Sequence, residues 1–389
     1  MSAFRRIFAL LIVFSLSLVF ASCDTDAGTA PKTPAQLCSA PPFDAPSVSA
    51  SAAVLLDASD GNRRVLWSRN ENERMSPAST TKVMTTLVAI ETLPLSHEVV
   101  IPTEAVGVEG SSVYLTEGEV LTLEELLYCV MLESANDAAT AVAIAVSGST
   151  EAFASLMNAK AQELGLQNTN FINPHGLDAE GHYTTAGDLA LILAEALENE
   201  AFSKICATYK TTVSGPEGAR LLVNHNRLLR SYEGSLGGKT GYTRASGRCL
   251  VSAAERKGVR LVAVTLADPD DWQDHTALLD AGFGQLCSVR LTVDGELSVA
   301  VAGGEQESLR CVCASEPLAI LRSEHGEITY VIEMERTLIA PVSAGATVGR
   351  VIFYCENTPI GVTSIITEYS AAKRPSKGLW QKIKSIFGS

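Results

Sequence analysis

Residues 77–90 read Pro77-Ala78-Ser79-Thr80-Thr81-Lys82-Val83-Met84-Thr85-Thr86-Leu87-Val88-Ala89-Ile90. Val83, Met84, Leu87, Val88 and Ile90 recur with helical spacing, so a helix is expected to open near Ser79, just after the proline. Upstream, 52–57 and 64–69 flank Ser59-Asp60-Gly61-Asn62, a strand, turn, strand signal. Downstream, Thr122-Leu123-Glu124-Glu125 has the form of a capping box, with Leu126, Leu127, Val130 and Met131 on one apolar side. Further helices are expected at about 137–146, 153–164 and 185–197. Strand character returns at 249–254 and 260–266, joined by Arg256-Lys257-Gly258. Helices in the middle and strands from both ends predict an α/β fold with an antiparallel sheet. Near Cys287 the texture changes. Short β-type runs at 289–293, 328–334, 348–355 and 360–367 predict a small all-β domain.

Three short motifs stand in order within the α/β segment: Ser79-Thr80-Thr81-Lys82, Ser134-Ala135-Asn136 and Lys239-Thr240-Gly241. A serine hydroxyl is a weak nucleophile near neutral pH and needs a base. Residues three apart on a helix share a face, so Lys82 would project beside Ser79. An amine serves as base once its pKa falls, which burial and a nearby cation such as Lys239 both favour. Ser134 could relay a proton, and Asn136 could hydrogen-bond a substrate amide. Gly237, Gly238 and Gly241 would let a peptide backbone approach a sheet edge, with its carboxylate near Lys239 and Thr240. Each motif alone reads more simply as a helix cap, a loop cap or a glycine-rich turn. Their joint occurrence makes an acyl-transfer site.

This S-x-x-K, S-x-N, K-T-G set resembles that of penicillin-binding proteins and serine β-lactamases. Residues 77–82, Ser134-Ala135-Asn136-Asp137, Asn173-Pro174-His175-Gly176-Leu177, His182-Tyr183-Thr184-Thr185-Ala186 and Gly238-Lys239-Thr240-Gly241-Tyr242-Thr243 match the low-molecular-weight penicillin-binding proteins, serine-type D-alanyl-D-alanine carboxypeptidases. The resemblance covers roughly residues 48–285. It continues into the β-rich tail domain at Pro341-Val342-Ser343-Ala344-Gly345 and Val348-Gly349. It implies a β-lactamase/transpeptidase-like sheet with helices and a small all-β domain behind it. Catalysis falls to Ser79, Lys82 and Ser134, and substrate binding to Asn136, Lys239, Thr240, Gly241 and Tyr242. By this resemblance the backbone N–H groups of Ser79 and Tyr242 would form the oxyanion hole. Peptidoglycan stem peptides and β-lactam antibiotics are the implied partners, and no cofactor or metal is implied. Some relatives carry an arginine just after the last catalytic-domain strand. Here that region reads Asp270-Asp271-Trp272-Gln273-Asp274-His275, so the carboxylate contact would rest on Lys239 and Thr240, or on Arg244. Glu163-Leu164-Gly165-Leu166-Gln167 lacks the asparagine of a β-lactamase deacylation pattern and is expected to end a helix. His175 and His182 could be bases, but local structural hydrogen bonding is the preferred reading. A β-lactamase or D,D-endopeptidase is the alternative within the same chemistry. A non-catalytic envelope binding protein is the alternative outside it.

The 389 residues are 46% hydrophobic, enough for two domains, and the net charge of −14 argues against a nucleic-acid partner. Arg5, Arg6 and the apolar run Ile7 to Phe20 read as an export signal over 1–22. Cleavage before Ser22 and lipidation of Cys23 both fit. Residues 23–48 read as a spacer, 49–287 as the catalytic domain and 288–370 as the β domain. Residues 371–389 hold Lys373, Arg374, Lys377, Lys382 and Lys384, with Leu379, Trp380, Ile383, Ile386 and Phe387 on one helical face. They are expected to anchor the exported protein to the outer face of the cytoplasmic membrane. Nine cysteines show no metal-site spacing, and buried free thiols are the preferred reading.

Overall fold

In this computed structural model the described residues are 43–215 and 218–375. The export signal, Cys23 and the helix expected at 379–387 lie outside them. The chain enters as strands β1 (Ala52–Asp57) and β2 (Arg64–Arg69), then helix α1 (Lys82–Thr92). A two-stranded ladder, β3 (Glu98–Val100) and β4 (Val120–Thr122), precedes α2 (Leu123–Leu132), α3 (Asn136–Ser147) and α4 (Thr150–Glu163). Then follow α5 (Ala186–Ala196), α6 (Glu200–Ala207), the hairpin β5 (Lys210–Val213) and β6 (Arg220–Val223), and the single turn α7 (Leu228–Ser231). Strands β7 (Ser235–Thr243), β8 (Gly247–Arg256) and β9 (Val259–Leu266) lead to α8 (Asp271–Gln285).

The sheet order is β2-β1-β9-β8-β7, antiparallel throughout, so β7 is an edge strand. Alternation along the strands supplies two cores. Val54, Leu56, Val251, Val262 and Val264 face the cluster built with the helices. Ala53, Leu55, Leu250, Leu261 and Ala263 face the one that includes Leu278 and Leu279 of α8. Every residue of β1 is therefore buried, and each leucine or valine so buried contributes roughly 1.5–3 kcal/mol. The capping box opens α2 as expected: the Thr122 hydroxyl accepts from Glu125 N, and the Glu125 carboxylate from Thr122 N. Gly165, at φ 73°, follows the end of α4.

Beyond α8 the regular elements of the described residues are all β: β10 (Leu286–Arg290), β11 (Leu297–Ala302), β12 (Ser308–Cys313), β13 (Leu318–Arg322), β14 (Ile328–Met334), β15 (Thr337–Ile339), β16 (Thr347–Cys355) and β17 (Thr358–Thr367). Six of these form the sheet β14-β16-β17-β12-β11-β15, and β10 pairs with β13. Both share one core around Leu321, Val351, Phe353 and Ile365. Cys355 is disulfide-bonded, a departure from the reading of free thiols. The other cysteines among the described residues are free. Among the described residues no single helix is long and apolar enough to cross a membrane.

Candidate active site

Ser79 lies in a 3-10 turn, Ala78–Thr81, one turn before α1 rather than inside it. Ala78 adopts φ 47°, the left-handed region that side chains resist. Two contacts hold that conformation. Gly176, at φ 88°, is so close that a Cβ on it would sit 1.9 Å from the Ala78 carbonyl oxygen. Thr81 Oγ1 donates to the same oxygen at 2.8 Å. Lys82 opens α1 fully buried, and its Nζ reaches Ser79 Oγ at 2.9 Å, Asn136 Oδ1 at 2.7 Å and the His175 carbonyl oxygen at 2.6 Å. The i, i+3 relation thus brings the Lys82 amine beside the Ser79 hydroxyl, as the spacing predicted.

Ser134 sits between α2 and α3 at φ 60°, nearly buried. Asn136 is the first residue of α3 and joins Lys82 directly. Lys239, Thr240, Gly241 and Tyr242 lie on β7, the sheet edge. At Gly241 the strand passes so near that a Cβ would be 3.1 Å from Ser79 N. β7 and the serine turn are thus in backbone contact, as an oxyanion hole drawn from both requires. Lys239 is 1% exposed, and its Nζ donates to the Thr240 carbonyl at 3.1 Å. Tyr242 is 66% exposed and opens toward solvent.

Burial is the main cause of the electrostatics here. It lowers Lys82 well below the usual amine range, and the neighbouring Lys239 charge lowers it further against an opposing pull from Asp137. Burial also brings Lys239 down to about 7. His175 falls to about 3 and His182 to about 4, again mainly through burial, so both rings are neutral at pH 7. His182 Nδ1 accepts from Ile172 N at 3.0 Å, so its proton is on Nε2, 2.9 Å from Thr81 Oγ1. His175 Nδ1 accepts from Leu177 N at 3.2 Å. These rings brace loop 172–182, and it is the backbone oxygen of His175 that reaches Lys82.

Two features escaped the motifs. The His175 carbonyl belongs to a matched segment, but a backbone atom leaves no residue-type signal. Around Asp270–His275, Asp271 is ion-paired with Arg248 and opens α8, while Arg244 is exposed in the β7–β8 turn. Asp178 Oδ1 accepts from Ser76 Oγ at 2.8 Å and Thr243 Oγ1 at 3.1 Å, which ties β7 to the segment before Ser79.

Residues 39–270 match the family model described as D-alanyl-D-alanine carboxypeptidase, and residues 288–373 match the penicillin-binding protein 5 C-terminal domain. The D-alanyl-D-alanine carboxypeptidase DacF of Bacillus subtilis is 33% identical over 356 residues, covering 86% of this chain and 91% of the relative. DacB2 of Mycobacterium tuberculosis is 36% identical over 246 residues, covering 61% of this chain and 84% of the relative. The crystal structure of penicillin binding protein 5 from Haemophilus influenzae superposes with a TM-score of 0.65 at 26% identity, covering 85% of this chain and 99% of that one. A match over more than half the chain, on a site whose serine hydroxyl and lysine amine are in hydrogen-bond contact, places this chain in the D-alanyl-D-alanine carboxypeptidase family.

Proposed function

We propose that this serine hydrolase removes the terminal D-alanine from peptidoglycan stem peptides through an acyl-Ser79 intermediate, and that β-lactams acylate the same oxygen. One observation carries the assignment of the base. Lys82 Nζ has three neighbours, and two of them, Asn136 Oδ1 and His175 O, can only accept. A neutral amine has two N–H bonds and one lone pair. The two carbonyl oxygens take the N–H bonds, which turns the lone pair to Ser79 Oγ, 2.9 Å away.

The reaction then runs as follows. The Ser79 hydroxyl proton passes to Lys82 Nζ as Oγ bonds to the carbonyl carbon of the penultimate D-alanine. The oxyanion lies against the N–H groups of Ser79 and Tyr242. The substrate backbone pairs along β7, held by Gly241 and Tyr242, with its amide on Asn136 and its carboxylate on Lys239 and Thr240. Ser134 passes its hydroxyl proton to the leaving nitrogen and takes the Lys82 proton in return, so that Lys82 is neutral again as the C–N bond breaks and D-alanine departs. Water then cleaves the Ser79 ester, releasing the shortened peptide and restoring the hydroxyl. Residues 49–287 would form the catalytic domain, 288–370 the β domain and 23–48 a spacer. An export signal at 1–22, lipidation at Cys23 or cleavage before Ser22, and a membrane anchor within 371–389 would set it at the outer face of the cytoplasmic membrane, acting on the cell wall and cell shape.

The test is release of free D-alanine from a peptide ending in D-Ala-D-Ala, beside mass mapping of the penicillin adduct. Release by the parent, none by Ser79→Ala, and an adduct on Ser79 are expected. An adduct on another serine, or rapid multiple-turnover β-lactam hydrolysis without D-alanine release, would overturn the reading.

A further inference from the structure

Asp137 follows Asn136 in the first turn of α3, is fully buried, and makes no ion pair among the described residues. Its carboxylate instead collects N–H and O–H donors. Oδ2 accepts from Ser112 Oγ at 2.6 Å, Leu115 N at 3.1 Å and Val113 N at 3.2 Å. Oδ1 lies 3.3 Å from the same Val113 N and accepts from Ala138 N at 2.9 Å. All but the last come from one strap of chain, residues 109–115. Ser112 Oγ in turn accepts from Tyr114 N at 2.9 Å, and Tyr114 is held at φ 57°.

The same strap grips Asn136. The Ser111 carbonyl accepts from Asn136 N at 2.7 Å, and the Glu109 carbonyl from Asn136 Nδ2 at 2.6 Å. Gly110, at φ 93°, lies so close that a Cβ on it would be 2.7 Å from Asn136 Nδ2. These contacts leave the amide one orientation. Glu109 O can only accept, and with the Lys82 lone pair turned to Ser79 an N–H faces Oδ1, so a flipped amide would oppose like groups on both sides. The second Nδ2 proton remains for substrate.

We infer that Asp137 is a positioning residue: its carboxylate fixes the strap 109–115, and the strap fixes the Asn136 amide between Lys82 and the substrate. This deepens the acyl-Ser79 reading and rests on it for the role of Asn136. A carboxylate is suited to the task because it accepts on both oxygens. An asparagine would turn an NH2 toward backbone N–H groups and leave buried donors unmatched.

The experiment uses the full chain and follows acylation by benzylpenicillin with amide hydrogen exchange. In Asp137→Asn the second-order acylation rate should fall about a hundredfold, the scale of a group misplaced by about 1 Å. Exchange at Val113 and Leu115 should quicken. In an Asn136→Ala background the same substitution should change acylation by less than about twofold, because the group it acts through is gone. A fall that persists in full in that background would overturn the inference, since the carboxylate would then act on the Lys82 charge or on folding. Should Asp137→Asn not fold, Ser112→Ala carries the test: it keeps the carboxylate, removes one donor and the Tyr114 N acceptor, and should slow acylation about tenfold. A folded Ser112→Ala variant within about twofold of the parent would overturn it too. Failure of the parent to acylate would count against the Ser79 reading. Unchanged exchange at Val113 and Leu115 in Asp137→Asn would count against the strap.

Discussion

Lys82 and Lys239 are two buried amines with opposite tasks in the proposed reaction, and their environments allow both. Lys82 must be neutral to take the Ser79 proton, and burial with the nearby Lys239 charge lowers it well below the usual amine range. Lys239 must be charged to hold a carboxylate, yet it titrates at about 7. The signs give the pH profile. As pH falls Lys82 gains a proton and acylation slows. As pH rises through about 7, free Lys239 loses its proton and carboxylate binding weakens. The two limbs belong to the coupled pair rather than to either residue alone. Arginine keeps its charge throughout this range. In Lys239→Arg the alkaline limb of kcat/KM should therefore move up by more than one pH unit, even though the bulkier group lowers the maximum rate. An alkaline limb that stays near 7 in this variant would remove Lys239 from the carboxylate contact.

The elements around the nucleophile depend on loop 173–177 meeting the serine turn, and Gly176 is the point of closest approach. Gly176→Ala would drive a Cβ into the Ala78 carbonyl, a backbone atom that no rotamer change can move. The expected loss is about 3 kcal/mol or more, with acylation slowed because Ala78 carries Ser79. Gly165→Ala is the control: φ is 73° but nothing lies within 4 Å, so only the left-handed strain of about 1 kcal/mol remains. Urea unfolding of both variants checks this, and equal losses would mean that the contact contributes nothing. The same contrast explains what could be read beforehand. Ser79, Lys82, Asn136 and the β7 motif were legible because residue type and spacing encode them, and the Thr122 capping box because both of its partners are side chains. The His175 oxygen and the strap on Asp137 were not, since these contacts, the Ser112 hydroxyl apart, have a backbone group on one side. Helix α8 was also missed. Gly282 breaks its apolar pattern where the helix packs closely on the sheet, a Cβ there lying 2.4 Å from Leu261 Cδ1, and glycine reads as a helix breaker. Strands β13 and β15 are short and find their partners, β10 and β11, far along the chain, which local periodicity does not record.

At the scale of the whole molecule the question is how an acidic enzyme, net charge −14, would work against an anionic surface. Separation of charge is the proposed answer. The chain stays tied to the β domain through Arg374: Ala371 N donates to the Val342 carbonyl at 2.8 Å, Glu305 N to the Ala372 carbonyl at 2.9 Å, and Arg374 N to the Gly303 carbonyl at 2.8 Å. Near this exit Ile339 on β15, paired with Ala302, is 81% exposed. Lys377, Lys382 and Lys384 follow beyond the described residues. Truncation after Pro375 therefore removes three cations and the apolar stripe without cutting a described hydrogen bond of the β domain. Near an anionic bilayer each cation contributes about 1 kcal/mol, so the charges alone are worth on the order of a hundredfold in vesicle partitioning. The measurement uses protein lacking residues 1–23, so that no lipid on Cys23 contributes. Full-length tail should bind vesicles rich in anionic lipid, bind less as salt rises, and bind neutral vesicles weakly. The protein ending at Pro375 should lose at least that hundredfold while its unfolding temperature and penicillin acylation stay unchanged. Equal binding by the two proteins would show that the tail is not the anchor and leave the Ile339 rim of the β domain as the surface to test.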